Sequence, residues 1–435
     1  MDEFVLDTGN TAWIIVASSL VLLMTPGLAF FYGGMVRGKS VLNMMMMSFG
    51  AMALIGPIWL LYGYSGAFGS DVGGIIGNPF EFFGSNTITD ADSLMAGSGV
   101  PALVAIAFQA TFAIITVALI SGSVADRMKF SAWLAFAAIW VTIVYVPMAH
   151  MVWGGGLLGG DGITSGLSTP IDFAGGTVVH INAGVAGLVM AILLGKRKGF
   201  GKEPMRPHNL PFVMLGAALL WFGWFGFNAG SEFAADGTAG RAWVNTTVAT
   251  CMAILGWLAT EKVRDGKATS LGAASGAVAG LVAITPAAAS VDTYGAIAIG
   301  TIAGILCAMA VSLKYKFGYD DSLDVVGVHL VGGLTGTVLI GFFANVSDTT
   351  NGTWYADGSV NGLFYGGGVT QLLTQIIVAL AAVVFSGVVT FIIGSALKAT
   401  MGIRVTDEVE ASGDMAMHGE TAYESLGVGR MEVKA

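Results

Sequence analysis

Apolar residues in this chain gather into long runs, and the charged residues are confined to the short stretches between them. About 20 apolar residues make a helix long enough to cross the hydrocarbon layer of a bilayer. Runs of that kind fall near residues 10–36, 41–69, 101–124, 131–149, 173–195, 209–230, 243–260, 269–290, 293–313, 323–345 and 366–397. The pattern predicts an all-α membrane protein of eleven transmembrane helices, in a domain spanning 1–397. Residues 398–435 turn polar and acidic, which reads as a solvated tail serving as an interaction segment.

The charges between the runs set an orientation. Alternate connections carry Arg37 and Lys39; Arg127 and Lys129; Lys196, Arg197, Lys198, Lys202 and Arg206; Lys262, Arg264 and Lys267; Lys314 and Lys316; and, in the tail, Lys398, Arg404, Arg430 and Lys434. Of 19 Lys and Arg residues only Arg241 falls on the other side. Basic residues stay on the cytoplasmic face, so the N-terminus is expected outside and the C-terminus in the cytoplasm. The first run follows an acidic start, Asp2, Glu3 and Asp7, without the basic region of a secretory signal, and is expected to be retained.

Composition removes several classes of function. A chain of 435 residues that is 55% hydrophobic and 11% charged is too apolar for a water-soluble fold. Its net charge is −9 and its basic residues are dispersed, which leaves no patch for nucleic acid. Cys251 and Cys307 both fall in apolar runs and read as small buried hydrophobes rather than a disulfide framework. The 64 glycines are expected mainly to let helix backbones approach closely in lipid.

Two histidines, His180 and His329, lie in the fifth and tenth runs. An ionisable group held in hydrocarbon is a functional-site candidate. Small residues follow both at matching offsets, Ala183, Gly184 and Gly187 after the first and Gly332, Gly333 and Gly336 after the second, on the histidine's own helical face. Five is odd, so a duplicated five-helix unit enters the membrane the second time from the opposite face. The expected inverted repeats cover about 10–195 and 209–345, with the eleventh helix, about 366–397, added. An acid precedes each histidine, Asp172 by eight residues and Asp324 by five. If the rings meet, one N–H can donate to the other's bare nitrogen, and desolvation favours the neutral pair.

Aromatic residues cluster in the outer halves of neighbouring runs: Phe108 and Phe112, Trp153, and the glycine-interleaved Trp221-Phe-Gly-Trp224-Phe-Gly-Phe227-Asn-Ala-Gly-Ser231. Aromatic faces attract a compact cation, by up to about 2 kcal/mol once water is removed. A hydroxyl such as that of Ser231 can accept a hydrogen bond from an N–H of such a cation. A purely apolar constriction beneath would oppose a hydrated ion yet admit a small neutral amine. A zinc site would need at least three ligands, and only His180 and His329 are expected deep in the runs, so neither metal nor cofactor is expected.

The segments Pro26-Gly-Leu-Ala-Phe-Phe-Tyr-Gly-Gly34, His150-Met-Val-Trp-Gly-Gly-Gly156, Asp172-Phe-Ala-Gly-Gly-Thr-Val-Val-His180, Gly223-Trp-Phe-Gly-Phe-Asn-Ala-Gly230 and Asp324-Val-Val-Gly-Val-His329 together resemble the ammonium transporter/methylammonium permease/Rhesus family, in its ammonium transporter branch. The resemblance implies a homotrimer of eleven-helix subunits in the cytoplasmic (inner) membrane, a conduction path through each, and transport of ammonium or ammonia rather than enzymatic catalysis. It implies that Trp153 and Ser231 recruit ammonium, with Phe108 and Trp224 as neighbouring wall residues. Phe112 and Phe227 close the pore mouth, and His180 with His329 line the path. Asp172 matches a family acid and equally suits a helix N-cap, a structural role. The tail segment Asp414-Met-Ala-Met-His418-Gly-Glu-Thr-Ala-Tyr423 is similar to one that in bacterial members helps bind PII signalling proteins, and His208 matches a structural loop histidine. The alternative reading is an ammonium sensor that signals through the tail with little flux.

Overall fold

The computed structural model describes residues 4–348 and 352–423. Eleven helices are long and apolar enough to cross a membrane: α1 (Thr8–Met35), α2 (Gly38–Phe68), α3 (Ala102–Val124), α4 (Phe130–Trp153), α5 (Gly176–Leu194), α6 (Leu210–Gly230), α7 (Gly237–Asp265), α8 (Ser270–Ala287), α9 (Thr293–Phe317), α10 (Val326–Phe343) and α11 (Thr370–Thr400). α7 departs most from its apolar run, and α4 and α11 are also displaced at their ends. α4 runs on past His150 to Trp153, and α7 carries Arg241 at one end and Glu261, Lys262 and Arg264 at the other. Polar residues at a helix end interrupt a hydropathy run without interrupting the backbone ladder.

α1 lies along α6, α5 meets α10, and α11 covers both α5 and α10. The α1–α6 approach depends on glycine. A Cβ on Gly216 would stand 2.3 Å from the backbone nitrogen of Phe31, and one on Gly223 would stand 2.3 Å from Cγ of Met24. Small residues at such seams supply the close van der Waals contact that association in lipid relies on.

Four helices contain a wide π-helical turn, at Trp59–Gly63, Val141–Tyr145, Gly176–Ile181 and Val326–Leu330. The last two open α5 and α10, and each holds one of the two intramembrane histidines. Such turns are rare and recur at functional sites.

The tail is not the solvated strand its composition suggests. Two short helices, α12 (Asp407–Ser412) and α13 (Asp414–His418), dock against the basic loops. The Asp414 carboxylate accepts from the backbone N–H groups of Leu42 and Asn43, in the first turns of α2, at 2.8 Å each. Glu410, 1% exposed, accepts from the Lys198 backbone and from the Arg404 guanidinium, each at 2.7 Å. His208 bonds the carbonyl of Val36 and the hydroxyl of Tyr423. Acidic residues that look solvated in sequence thus cap a helix, hold a loop backbone and pair with the tail's own Arg404; residues 424–435 of the expected tail lie outside the described residues.

One further expectation is corrected. Cys251 is exposed on α7 whereas Cys307 is buried, so only one of the thiols is a core residue. His150, in the last turn of α4, is buried as His180 and His329 are, at 0% exposure. Its ring bonds the carbonyl of Ala67 and the carboxylate of Asp71, in a short hairpin of β1 (Asp71–Val72) and β2 (Ile76–Gly77). That hairpin and the turns after it roof the face opposite the tail.

Candidate functional site

Each intramembrane histidine is positioned by a buried acid eight residues before it. Asp172 accepts four backbone N–H groups, from Gly175, Gly176, Thr177 and Val178, at 2.6–3.3 Å. These are orphan donors at the start of α5, so the carboxylate does the work of a helix cap. Burial pushes the Asp172 carboxyl above its ordinary value, and the four N–H groups draw it back. The counterpart before α10 is Asp321, not Asp324. Asp321 is 1% exposed and accepts from Val326 N–H at 2.8 Å and from the Ser123 hydroxyl at 2.9 Å. Asp324 instead occupies the left-handed region (φ 64°), as Gly175 does (φ 115°), each five residues before its histidine. Its carboxylate pairs with Lys314 at 2.7 Å.

The two halves then bring their histidines together. Nδ1 of His329 lies 3.3 Å from Nδ1 of His180, and the ring centroids are 5.4 Å apart. Small residues at the matched offsets allow this. A Cβ on Gly184 would stand 2.5 Å from the backbone nitrogen of Leu330, and one on Gly333 would stand 3.1 Å from Cβ of His180. Nε2 of His180 is buried without a hydrogen-bond partner among the described residues.

Both rings face a narrow cavity of about 10 Å³, walled by Met24, Leu28, Phe31, Ile115, Leu119 and other apolar side chains. That is about the space one water-sized molecule needs. Trp224 belongs to this wall, stacked 5.5 Å from the His180 ring with its indole N–H bonded to the Thr285 hydroxyl at 2.8 Å. Its wall position is thus beside the histidines, deeper than Trp153 and Ser231.

At the end away from the tail, Phe112 and Phe227 stack with centroids 4.1 Å apart and planes inclined by 20°. Each is 1% exposed. Phe227 lines the histidine cavity and Phe112 a wider vestibule of about 350 Å³, so the ring pair divides the two spaces. Trp153 and Ser231 also line the vestibule. The Trp153 N–H donates to the carbonyl of Asp172 at 2.9 Å, which leaves its π face for a ligand. The Ser231 hydroxyl donates to the carbonyl of Phe227 at 2.8 Å, which leaves its lone pairs as acceptors. Phe108 is fully buried behind the Phe112–Phe227 pair, 4.9 Å from Phe112 and 6.2 Å from Phe233, and supports the Phe112 ring rather than the vestibule surface.

The sequence reading missed several vestibule residues. Trp354, from the loop before α11, packs on Phe173 with centroids 5.3 Å apart. Leu94 and Ser98 come from the segment 70–100, which had offered no motif. Glu232 was passed over although it directly follows Ser231. Burial, assisted by the charge of Asp236, pushes its carboxyl up to about 8. Among the described residues no group of three or more His, Cys, Asp or Glu side chains is arranged to hold a metal ion.

A helical bundle with an aromatic-plugged, largely apolar passage through one chain defines a membrane channel or transporter for a small solute. The chain matches the Ammonium Transporter Family over residues 12–423 and belongs to that family. It is 57% identical over 446 residues to an ammonium transporter of Mycobacterium tuberculosis, covering 98% of this chain and 93% of that protein. It is 51% identical over 423 residues to one of Aquifex aeolicus, covering 97% and 95%. The crystal structure of Saccharomyces cerevisiae Mep2 superposes with a TM-score of 0.84 at 34% identity, covering 92% of this chain and 91% of that one. Family membership makes this chain a multi-pass membrane protein of ammonium transport and not an enzyme.

Proposed function

We propose that the protein takes up ammonium across the cytoplasmic membrane with the vestibule outside and the tail inside. Ammonium is recruited over the face of Trp153 and beside the Ser231 hydroxyl. It gives up its proton near the Phe112–Phe227 pair, passes His180 and His329 as ammonia, and is protonated again inside. The transmembrane domain ends near residue 397, its halves near 10–195 and 209–345 act as inverted repeats, and three such subunits form a homotrimer. The docked tail and basic loops are the surface for a PII-type partner.

The observation that carries this reading is the narrow cavity between the gate and the paired histidines. An unpaired charge in such a space loses its hydration with nothing to replace it, at a cost of several kcal/mol, whereas neutral ammonia loses far less. The imidazole pair offers a relay, because the 3.3 Å Nδ1 to Nδ1 approach allows a proton to lie between the rings. Proton movement along that pair makes transport electrogenic.

Ammonium pulses on proteoliposomes adsorbed to a solid-supported membrane test the proposal. A transient inward positive current that saturates with ammonium and is absent with sodium is the expected result. Uptake of labelled ammonia without current would overturn the electrogenic step. Ammonium binding with neither current nor uptake would replace the transporter with the sensor.

A further inference from the structure

The recruitment site, as drawn from Trp153 and Ser231, is short of acceptors. An ammonium ion carries four N–H donors, while the site so far offers one indole face and the lone pairs of one hydroxyl. Two acids line the vestibule, Asp172 and Glu232. The Asp172 oxygens are already engaged by four backbone N–H groups. Oε2 of Glu232 is buried and has no hydrogen-bond partner among the described residues, and the same is true of Oε1 of Gln109, a side chain only 5% exposed in the same cavity. Buried polar atoms are seldom left unsatisfied, and their exceptions call for a ligand or a water.

We propose that Glu232 is a third ligand of the recruited cation, its carboxylate accepting an N–H while Gln109 Oε1 offers a further acceptor. The inference rests on the ammonium reading above and assigns Glu232 a charge that the aromatic and hydroxyl groups lack. Three acids face it from the surrounding elements: Asp172, which lines the same vestibule at the start of α5; Asp236, which caps α7 through Thr238 and Ala239; and Asp7, which caps α1 beside the Asn10 that bonds Ala235.

A carboxyl held at about 8 keeps its proton at neutral pH while the vestibule is empty. An arriving cation favours the ionised form, so binding converts the carboxylic acid and a free cation into a carboxylate–cation pair plus one proton. Only the O–H bond breaks, and the proton leaves to the outer solution. Recruitment therefore strengthens as outer pH rises toward 8, up to about tenfold for each pH unit below that value. The ammonium ion itself is almost wholly protonated throughout that range.

Calorimetric titration of the purified full-length protein with methylammonium chloride tests this, in two buffers of different ionisation enthalpy at pH 7. The native protein is expected to release close to one proton per cation bound. Glu232→Gln is expected to release none, to bind about tenfold more weakly at pH 8, and to lose the pH dependence of affinity. Asp236→Asn, which keeps the helix cap but removes the neighbouring charge, is expected to move the proton-release window to lower pH and to weaken binding at pH 9 by less than Glu232→Gln does. Equal proton counts and affinities in native protein and Glu232→Gln would overturn the proposal, as would native binding without proton release, or no methylammonium binding at all. Ammonium-pulse currents on the same preparations separate the two ideas. Currents in both proteins with indistinguishable half-saturation sink only the Glu232 assignment, whereas absent native current sinks the transport reading while the calorimetry still decides the ligand.

Discussion

The starts of α5 and α10 are one backbone device in two environments. Each has a buried aspartate, a positive-φ residue three positions later, a π-helical turn and a histidine five positions after that. Asp172 satisfies four backbone donors and stands beside the open vestibule. Asp321 accepts from one backbone N–H and the Ser123 hydroxyl, and sits beside a charge network. In that network Arg197 pairs with Asp320 at 2.8 Å and with Asp126 at 3.3 Å, Arg37 pairs with Asp126 at 3.0 Å, and Lys314 pairs with Asp324. The local geometry that aims a histidine into the passage is thus independent of what surrounds it. One copy is left beside the open vestibule, and the other is tied into the loops on which the tail docks.

The largest effect tests whether the paired products of the two devices act as a unit. Replacing both His180 and His329 with alanine is expected to reduce the ammonium-pulse current to the level of empty liposomes, with either single replacement losing most of it. Unchanged current and selectivity in the double variant would leave the rings as packing only. Next comes the comparison of the caps. Asp172→Ala orphans four buried N–H groups and Asp321→Ala orphans one N–H and one hydroxyl, at about 1–3 kcal/mol for each donor that finds no water. Titrating the detergent-solubilised variants with SDS is expected to unfold Asp172→Ala first. Equal midpoints would mean that vestibule water replaces the Asp172 carboxylate.

The glycines at the fourth position after each histidine sharpen the comparison further. A methyl at Gly184 meets the backbone nitrogen of Leu330 at 2.5 Å, whereas one at Gly333 meets a side-chain carbon at 3.1 Å. Gly184→Ala is expected to destabilise by about 1–3 kcal/mol and Gly333→Ala by less than about 1 kcal/mol, because backbone cannot move aside as a side chain can. The SDS titration checks this, and a larger loss in Gly333→Ala would show that the α10 copy is the more tightly packed of the two.

Much of this was legible in the sequence, for reasons the structure makes concrete. Eleven apolar runs and eleven helices agree because lipid permits so few alternatives. His180 and His329 stood out because an imidazole is rare in such runs, and the shared offsets of Ala183, Gly184 and Gly187 with Gly332, Gly333 and Gly336 betrayed a common packing task. The acid that matches Asp172 was not singled out before the second histidine, where only Asp324, five residues away, was noted. Asp324 is nearer and invites the cap role, but its positive φ turns the chain there, so the cap falls to Asp321, at the spacing of Asp172. Glu232 was hidden because an acid between two helices usually reads as solvent-facing. The tail's docking was hidden because Glu410 and Asp414 become informative only when Arg404, Lys198 and the start of α2 are brought beside them.

The smallest effect separates the two ends of the molecule by pH. At the tail end, burial raises the carboxyls of Asp126 and Asp320, but the nearby guanidiniums, Arg197 above all, outweigh it and hold both below the ordinary 3.8. Such groups contribute stability that is fully present above 3.8 and is lost as pH falls through their depressed values. At the vestibule end Glu232 behaves in the opposite sense. Between its ordinary 4.5 and about 8 the folded protein holds a proton the unfolded chain has released, so stability declines as pH rises through that window. SDS titrations at a series of pH values are expected to show a stability difference between native protein and Glu232→Gln that shifts against the native protein as pH rises from about 4.5 to 8, with a separate loss below 3.8 that both proteins share. If that difference did not shift with pH, the carboxyl would be titrating at its ordinary value, hydrated by the vestibule rather than shielded from it.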